Sequence, residues 1–384
     1  MKKRILFLTG TRADYGKLKS LMKKVEDSSE FELHVFVTGM HMLSKYGSTF
    51  SEVEKDNFKN VYKFINQGAH TNMDIALGNT VSGLSNFVTE LKPDMIVIHG
   101  DRLEALAGAI VGAFNNIKVA HIEGGEVSGT IDESIRHAIT KFSHLHFVAN
   151  EEARNRIIQL GENKEAIFEI GSPDIDIMHS NELPDFDEVK ERYGIPFSKY
   201  AILMYHPVTT EVNKLNDNIK NVVDSVIDSD MNYVVVYPNN DIGSDIILNE
   251  YNRFNGNEKI KVYPSLRFEY FLTLLKHANF IIGNSSAGIR EASVYGVPSI
   301  DIGNRQHGRA DKNTEGYIIN VNEQSEEIKK AIIKADSLEL QQESFFGSGN
   351  SDQLFVDVLK RKDIWNDEFQ KKFVDLNLGA DNYV

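Results

Sequence analysis

The chain contains no cysteine among its 384 residues. This absence excludes disulfides, thiolate metal ligands and cysteine nucleophiles, and it is compatible with a reducing cytosol, so we expect a cytoplasmic protein. No apolar run approaches the ~20 residues of a membrane span, which argues against a membrane protein. The short apolar run Ile5–Leu8 ends at a glycine-bearing turn, and it predicts a first β-strand rather than a signal peptide.

Clusters of basic residues are also missing. The net charge is −14 and no run of Lys and Arg exceeds three residues, whereas a nucleic-acid-binding face needs concentrated positive charge. The remaining composition, 41% hydrophobic and 26% charged, is that of an ordinary soluble globular protein. Because a chain of this length exceeds what one hydrophobic core usually holds, two domains are expected.

Short runs of Val, Ile and Leu alternate with longer segments of helical spacing, such as Asp74–Leu91 and Leu103–Phe114. Continuous apolar runs are typical of strands buried on both faces, and their alternation with helices predicts parallel sheets. The predicted strands of the first half are Ile5–Leu8, Leu33–Val37, Met95–Ile98, Val119–Ile122, Leu145–Val148 and Ile167–Ile170. Those of the second half are Ala201–Tyr205, Tyr233–Tyr237, Ile260–Tyr263, Phe280–Ile282 and Ser299–Ile302.

The strand pattern restarts after a polar stretch, so we place the domain change near residues 172–198. The sequence thus predicts an α/β fold of two Rossmann-like lobes with a cleft between them, over residues 1–175 and 176–364. Residues 351–378 show amphipathic helical spacing. They predict a helical tail over 365–384 that could cross back onto the first lobe.

Three predicted strands of the first half end in charged, glycine-bearing turns, and open α/β sheets bind ligands at that carboxyl edge. The turns are GTRADY at 10–15, HGDR at 99–102 and HIEGGE at 121–126. Arg12 would lie near a helix N-terminus, where the helix dipole does not favour a cation. An anionic ligand would explain that placement, and the alternative is a surface arginine beside an ordinary cap.

Four further side chains of the first half are candidates for chemistry, each with a structural alternative. Asp101, next to Arg102, could act on a substrate or simply cap a helix. Glu123 precedes a Gly-Gly pair and would project toward the cleft, or it is the solvated acid of a flexible turn. Asp132 enters a helix and could position a substrate or form a surface ion pair, while His41 could be merely packed.

The second half offers an anion-binding pattern. His206 ends a strand and would point into the cleft, unless it is only packed there. The turn Gly283–Gly288 is predicted to open a helix, whose free N–H groups and two serine hydroxyls suit a phosphate. A generic N-cap is the alternative, since the turn is neither a Walker loop nor GxGxxG. Arg305 adds a cation, and no histidine spacing demands a metal.

Together these motifs resemble the hydrolysing UDP-N-acetylglucosamine 2-epimerases. The matching pieces are GTRADY (10–15), HGDR (99–102), HIEGGEVSGTIDES (121–134), HPVTT (206–210), GNSSAGIRE (283–291) and GNRQ (303–306). Non-hydrolysing relatives have a GTRPE-like opening, an HGDT-like second motif and a glycine-rich SGG turn. Because this chain has Ala13-Asp14, Arg102 and Ser285-Ser286 at those places, it resembles the hydrolysing branch.

The resemblance implies a GT-B-like fold that binds UDP between its lobes, with no cofactor and no metal. It implies acid/base roles for Asp101, Glu123 and Asp132, with Arg102 and His41 supporting them around the sugar. The residues that it assigns to UDP contacts are Arg12, His206, Asn240, Gly283, Ser285, Ser286, Glu291 and Arg305.

The implied reaction converts UDP-GlcNAc and water to N-acetylmannosamine and UDP, through 2-acetamidoglucal, for sialic-acid and capsule polysaccharide synthesis. The alternative substrate is UDP-N,N'-diacetylbacillosamine, on the route to legionaminic acid. A GT-B glycosyltransferase or a non-catalytic UDP-sugar sensor remain as other classes. The expected partners are the UDP-sugar, UDP and further copies of the chain in a dimer or tetramer, without nucleic acid or membrane.

Overall fold

The computed structural model describes residues 2–68, 71–128, 131–180, 183–239, 241–306, 316–366, 369–372 and 374–375. It divides the chain into two compact units. The N-terminal unit comprises residues 1–126, 131–177 and 346–384, and the C-terminal unit comprises residues 127–130 and 178–345. The predicted extension of the second domain to residue 364 is therefore wrong, because the chain rejoins the first unit at Phe346.

Strands and helices alternate along most of the described chain. The strands are β1 Lys3–Thr9, β2 Phe31–Val37, β3 Val61–Lys63, β4 Met95–His99, β5 Lys118–Ile122, β6 Leu145–Val148, β7 Ile167–Glu169, β8 Ala201–Met204, β9 Tyr233–Val236, β10 Ile260–Tyr263, β11 Ile281–Gly283, β12 Ser299–Ile302 and β13 Ile318–Val321. The helices are α1 Arg12–Glu26, α2 Phe50–Lys55, α3 Met73–Leu91, α4 Leu103–Phe114, α5 Ile131–Phe142, α6 Glu151–Gln159, α7 Pro173–Met178, α8 Phe186–Tyr193, α9 Leu215–Asp228, α10 Ser244–Tyr251, α11 Phe268–Lys276, α12 Glu291–Val294, α13 Ser325–Asp336 and α14 Ser351–Leu359.

The described strands of the N-terminal unit form one parallel sheet in the order β3-β2-β1-β4-β5-β6-β7. Alternate residues of β1 enter different cores, since Ile5 and Phe7 pack with the core on one face. Leu6 and Leu8 pack with the core on the other face. Burial on both faces explains why these strands are continuous apolar runs in the sequence. The order reverses between β1 and β4, which marks the switch point where open α/β sheets bind ligands.

The described strands of the C-terminal unit form a second parallel sheet in the order β10-β9-β8-β11-β12-β13. Its switch point lies between β8 and β11, where Gly283 pairs with Met204. One core packs Leu203, Val222 and Ile282 together with side chains of the flanking helices. Each unit is thus a Rossmann-like domain, which confirms the predicted fold class.

The segment after the C-terminal unit completes the core of the N-terminal unit. Phe355 of α14 is fully buried, and its ring lies 4.8 Å from that of Phe147 and 6.1 Å from that of Phe7, measured between centroids. The predicted helix over 351–378 is too long, because α14 ends at Leu359 and the next element among the described residues is a short 3-10 turn at Asp363–Trp365. Most of the predicted tail over 365–384 lies outside the described residues. α14 is held in this core by Phe355, Val356 and Leu359.

The predicted strands all occur, with ends shifted by a residue or two, and the predicted α3 and α4 occur as well. Two strands were missed, β3 and β13, and both lie at sheet edges. Their pattern of partly exposed side chains gives no continuous apolar run. Among the described residues, the helices are too short or too polar to cross a membrane.

Candidate active site

The turn after β1 is fixed by its own side chains. Thr11 caps α1 and forms a capping box with Asp14, whose Oδ2 accepts a 2.9 Å hydrogen bond from the Gly10 N–H. The hydroxyl of Thr9 donates to Asp14 Oδ1 at 2.6 Å. Asp14 thus occupies the third helical position of the capping box that Thr11 begins. The switch-point edge therefore starts on a rigid backbone.

Arg12 and His41 both have partners inside the N-terminal unit. The Nη2 of Arg12 lies 2.7 Å from Glu52 Oε1, so an internal carboxylate already compensates its position at the helix start. His41 is completely buried, with Nε2 3.0 Å from Thr9 Oγ1 and Nδ1 2.7 Å from Thr49 Oγ1. His41 was expected either to support the sugar or to be merely packed, and both of its ring nitrogens have partners inside the fold, as the packed alternative expects.

Glu123 is the most enclosed of the predicted acids, with 4% of its surface exposed. Its Oε2 lies 3.0 Å from His99 Nε2, and its Oε1 accepts a hydrogen bond from the Ser172 hydroxyl. The residue has φ +59°, a left-handed conformation that is uncommon outside glycine. Glu123 is therefore not the solvated acid of a flexible turn but a carboxylate held by two partners at the end of β5.

Lys17 connects Glu123 to a second acid, Asp174. Lys17 Nζ is 3.6 Å from Glu123 Oε2 and 2.8 Å from Asp174 Oδ2. Asp174 is fully buried, so the lysine shares its charge between two carboxylates in a poorly solvated place. The ammonium group of Lys17 therefore lies between the two carboxylates and helps to hold Glu123 in position.

Asp101 follows β4 and pairs with Arg136 of α5, which also donates to the Glu126 carbonyl at 2.9 Å. Arg136 is itself buried, so its guanidinium holds Asp101 in place with little freedom. The backbone nearby is equally constrained, because His121 Nε2 contacts the Gly100 carbonyl at 2.8 Å. Burial lowers the pKa of His121 to about 3, so this imidazole is neutral and donates from Nε2.

Arg102 is the cation that the other acids of this edge share. Burial alone would lower the pKa of Arg102, but the carboxylates of Glu104, Asp132, Asp14 and Asp101 together raise it. Asp132, the second residue of α5, therefore acts on the same guanidinium as Asp101. The sequence placed Asp101, Asp132 and Arg102 at one edge, and their mutual electrostatic influence is consistent with that placement.

The switch point of the C-terminal sheet is built from amides rather than acids. The side chain of Asn284 accepts a 2.6 Å hydrogen bond from the His206 N–H and donates a 2.8 Å bond to the His206 carbonyl. Gly283 approaches β8 so closely that a Cβ there would lie 1.9 Å from the Met204 carbonyl oxygen. The two loops at this edge are thereby fastened to one another.

His206 presents a neutral imidazole at this edge. Burial and the neighbouring Arg305 lower its pKa to about 3, and its Nδ1 accepts a 3.0 Å hydrogen bond from the Asn239 N–H. The hydrogen is therefore on Nε2, which can donate to an anion. Asn240, also predicted to contact UDP, lies outside the described residues.

The turn after β11 differs from the predicted helix start. Ser285 caps only a 3-10 turn, Ser286–Gly288, and α12 that follows is a four-residue helix beginning at the buried Glu291. The predicted helix-dipole contribution to phosphate binding is therefore small. Arg305 Nη1 and Gln306 Nε2 both donate to the Asn284 carbonyl, at 3.0 and 2.8 Å. Arg305 and Gln306 thus place a guanidinium and an amide on the turn that carries the partly exposed Ser285 and Ser286.

Comparison with known proteins places these two edges in a family. The family model described as UDP-N-acetylglucosamine 2-epimerase matches residues 23–360. The chain is 49% identical to the UDP-N-acetylglucosamine 2-epimerase of Neisseria meningitidis serogroup B, over 98% of this chain and 100% of that protein.

The chain belongs to the UDP-N-acetylglucosamine 2-epimerase family.

Within this family the chain is also 34% identical to the UDP-N,N'-diacetylbacillosamine 2-epimerase (hydrolyzing) of Legionella pneumophila, over 80% of this chain and 83% of that protein. It is similar to the crystal structure of Methanocaldococcus jannaschii UDP-GlcNAc 2-epimerase in complex with UDP-GlcNAc and UDP. The TM-score is 0.78 at 24% identity, over 93% of this chain and 99% of that chain. This likeness shows the fold, a GT-B-like pair of Rossmann-like domains.

Several residues of this epimerase-family site were not singled out from the sequence. Lys17, Ser172 and Asp174 surround Glu123, and Asn284 fastens the second edge. Lys17 was hidden in an amphipathic helix, and Ser172 and Asp174 looked like residues of a domain linker. Only Asn284, inside an already noted turn, carried a local signal. Among the described residues, no cluster of three or more His, Asp and Glu side chains has the arrangement of metal ligands.

Proposed function

We propose that the chain is a hydrolysing UDP-N-acetylglucosamine 2-epimerase that releases UDP and free N-acetylmannosamine. The observation that carries this proposal is the enclosed Glu123 carboxylate, with His99 and Ser172 on its two oxygens. Asp101 follows β4 and Asp132 lies in the first turn of α5, and both carboxylates raise the pKa of Arg102. A set of oriented carboxyl groups is what removal of the C2 proton and its later replacement on the opposite face require.

The reaction begins with elimination across C1 and C2. The C1–O bond to the diphosphate breaks, the C2 proton goes to a carboxylate, and 2-acetamidoglucal and UDP are formed. The C2–H is a poor acid because no carbonyl lies directly beside it, so departure of UDP runs ahead and leaves positive charge on the sugar. Carboxylates near C1 and C2 stabilise that charge and accept the proton.

Hydration then completes the change of configuration. Water adds its oxygen to C1 and loses a proton to a carboxylate, while a carboxyl group delivers a proton to C2 from the opposite face, which gives free N-acetylmannosamine. The acid that delivers this proton and the base that took the first one are different groups, since they act on opposite faces. We assign these two tasks to the set Asp101, Glu123 and Asp132.

We assign UDP to the switch-point edge of the C-terminal unit. The Nε2–H of His206 and the guanidinium of Arg305 supply donors for the diphosphate, and Ser285 and Ser286 add hydroxyls. Glu291, buried at the start of α12, is an acceptor suited to ribose hydroxyls. Arg12 joins the diphosphate by exchanging its partner Glu52 for the ligand.

The hydrolysing type is supported by residues and by a relative. Arg102 and Ser285-Ser286 differ from the threonine and glycines that the non-hydrolysing pattern has at those places. The Legionella relative is named as a hydrolyzing enzyme. The same name favours a second candidate substrate, UDP-N,N'-diacetylbacillosamine, which would undergo the same elimination and hydration.

Product analysis by NMR tests the proposal. The pure protein is incubated in turn with UDP-GlcNAc and with UDP-N,N'-diacetylbacillosamine, without any acceptor, and phosphorus and proton spectra are followed. We expect stoichiometric UDP and a free manno-configured sugar from UDP-GlcNAc. Accumulation of a UDP-linked epimer would show a non-hydrolysing enzyme, and turnover of the second substrate alone would support the alternative.

We further propose that the protein is cytoplasmic and acts as a homo-oligomer, a dimer or tetramer, in sialic-acid synthesis for a capsule polysaccharide. The absence of cysteine supports the compartment, and the resemblance supports the assembly and the pathway. Light scattering on the pure protein measures the assembly directly. A monomeric mass at working concentration would contradict it.

A further inference from the structure

The Glu104 carboxyl group, in the first turn of α4, has no part in the reaction described above. An acid in the first turn of a helix favours the helix start and normally faces solvent. Here the residue is 1% exposed. By distance and angle neither carboxyl oxygen makes a hydrogen bond among the described residues. Burial raises the pKa of this carboxyl group, although the Arg102 charge and the Asn66 side chain lower it. Since an unpartnered buried carboxyl is costly, its presence calls for a reason other than helix stability.

Two glycines make room for this carboxyl group. A Cβ on Gly10 would lie 2.8 Å from the Glu104 Cδ, and a Cβ on Gly39 would lie 2.6 Å from Glu104 Oε1. Gly10 follows β1 and Gly39 follows β2, and their loops are joined by the hydrogen bond from the His41 N–H to the Gly10 carbonyl at 3.3 Å. The carboxyl group is therefore enclosed where the carboxyl ends of β1, β2 and β4 meet.

The charged group next to this carboxyl is Arg102. Its Nε lies 3.9 Å from Glu104 Oε2, and 34% of its side chain is exposed. The Nη2 contacts Met40 Sδ at 3.6 Å. The Nε of the arginine thus lies beside the buried acid, and the carboxylates of Asp101 and Asp132 act on the same guanidinium electrostatically. Among the acids that raise the pKa of Arg102, Glu104 contributes most.

We propose that Glu104 is a positioning residue for Arg102, because its buried carboxyl group orients the guanidinium toward the sugar. The absence of side chains at Gly10 and Gly39 leaves the space that this carboxyl group occupies. This inference rests on the proposed function, because it places Arg102 at the reacting sugar. Glu104 itself does not touch the substrate. Replacing its carboxyl group by an amide leaves Arg102 present and lets it rotate away or toward other carboxylates.

A double-mutant cycle with Glu104→Gln and Arg102→Ala tests the coupling. With UDP-GlcNAc as the probe, we expect Glu104→Gln to lower kcat about tenfold, because a misdirected guanidinium stabilises the transition state poorly, and to change KM less than about twofold. In the Arg102→Ala background, Glu104→Gln should change kcat less than about twofold. An equal loss in both backgrounds, or a wild-type kcat for Glu104→Gln, would overturn the inference.

The thermal unfolding midpoint gives a readout that needs no substrate. Arg102→Ala leaves a buried carboxyl without its cation and should lower the midpoint, and adding Glu104→Gln should restore part of that loss. Independent, additive shifts of the midpoint would contradict the coupling, whether or not the wild type turns over a UDP-sugar. Failure of the wild type to turn over either UDP-sugar would reject only the proposed function. Glu326→Gln is the matched control, since Glu326 is a first-turn acid of α13 with an 82% exposed side chain. It should alter neither kcat nor the midpoint.

Discussion

At the carboxyl edge of the N-terminal sheet, buried acids and bases hold one another: Glu123 with His99 and Lys17, and Asp101 with Arg136. At the carboxyl edge of the C-terminal sheet, the loops are instead fastened by the amide of Asn284 and present the neutral imidazole of His206. The two sheets share one architecture, so the difference lies in the side chains at the strand ends. Opposing charges within one edge suit proton transfer, whereas neutral donors beside one arginine suit binding of an anion.

The largest expected effect separates these two tasks at Glu123. Glu123→Gln keeps the size of the side chain and removes a carboxylate that can accept a proton, so kcat should fall by about 10²–10⁴. The affinity for UDP, measured by calorimetry, should stay within about twofold. Glu326→Gln, the same replacement at an exposed position, serves as the control and should leave kcat unchanged. Retained turnover in Glu123→Gln would remove this residue from the proposed acid/base set.

The next effect concerns how the two units are built, since the N-terminal unit needs a segment from the end of the chain. Phe355→Ala empties a buried site between Phe7 and Phe147 and should cost about 3–5 kcal/mol of unfolding free energy. Urea unfolding measures it. Ile333→Ala, at a 73% exposed position of α13, should change stability by less than about 0.5 kcal/mol. Equal unfolding curves for the two variants would show that α14 is dispensable.

A smaller effect is expected from the nucleotide edge. His206→Ala removes one donor from the diphosphate and should weaken UDP binding about tenfold, or about 1.4 kcal/mol. In this variant kcat at saturating substrate should fall much less than in Glu123→Gln. His206→Ala should therefore lower the UDP affinity and largely spare kcat, whereas Glu123→Gln should lower kcat and spare the UDP affinity. Unchanged UDP affinity in His206→Ala would contradict the division of tasks.

The last effect, no larger than that of His206→Ala, is a pH dependence of stability from the buried His121 of the acidic edge. Burial lowers the folded-state pKa of His121 to about 3 from 6.5. Below pH 6.5, His121 therefore binds a proton in the unfolded chain but stays neutral in the folded protein. The stability contributed by this group is complete above pH 6.5 and declines as the pH falls toward 3. Between pH 7.5 and 5.5 we expect a loss of about 1.4 kcal/mol.

Urea unfolding of the wild type and of His121→Gln at the two pH values isolates this contribution. The variant lacks the titrating ring, so its loss of stability over the same range should be smaller by that amount. An identical loss in both proteins would show that other groups carry the acid sensitivity.

Much of this fold was predictable, because parallel strands buried on both faces leave continuous apolar runs such as Met95–Ile98. The edge strand β3 has partly exposed side chains and left no such run. The extent of α14 was overestimated since amphipathic spacing continues past Leu359, where the chain instead turns and packs aromatic side chains. Periodicity indicates which residues can face a core, and tertiary contacts decide where a helix ends.

The positions of candidate side chains were predictable where a charged residue directly follows a predicted strand, as Asp101 and Arg102 follow β4. His41 shows the limit, because a buried and an exposed histidine look alike in a sequence. Glu104 shows the opposite case, since the first-turn position suggested an ordinary helix acid while its burial depends on two glycines from other loops. Residues that act through distant partners, such as Lys17 with Asp174, leave no local pattern.

The proton at C2 tests the central claim most directly. When UDP-GlcNAc is converted in D₂O, elimination followed by hydration requires solvent deuterium at C2 of the released N-acetylmannosamine, and the wild-type product should carry it in every molecule. A free manno-configured sugar that retains the original C2 proton would contradict the proposed role of the N-terminal acids.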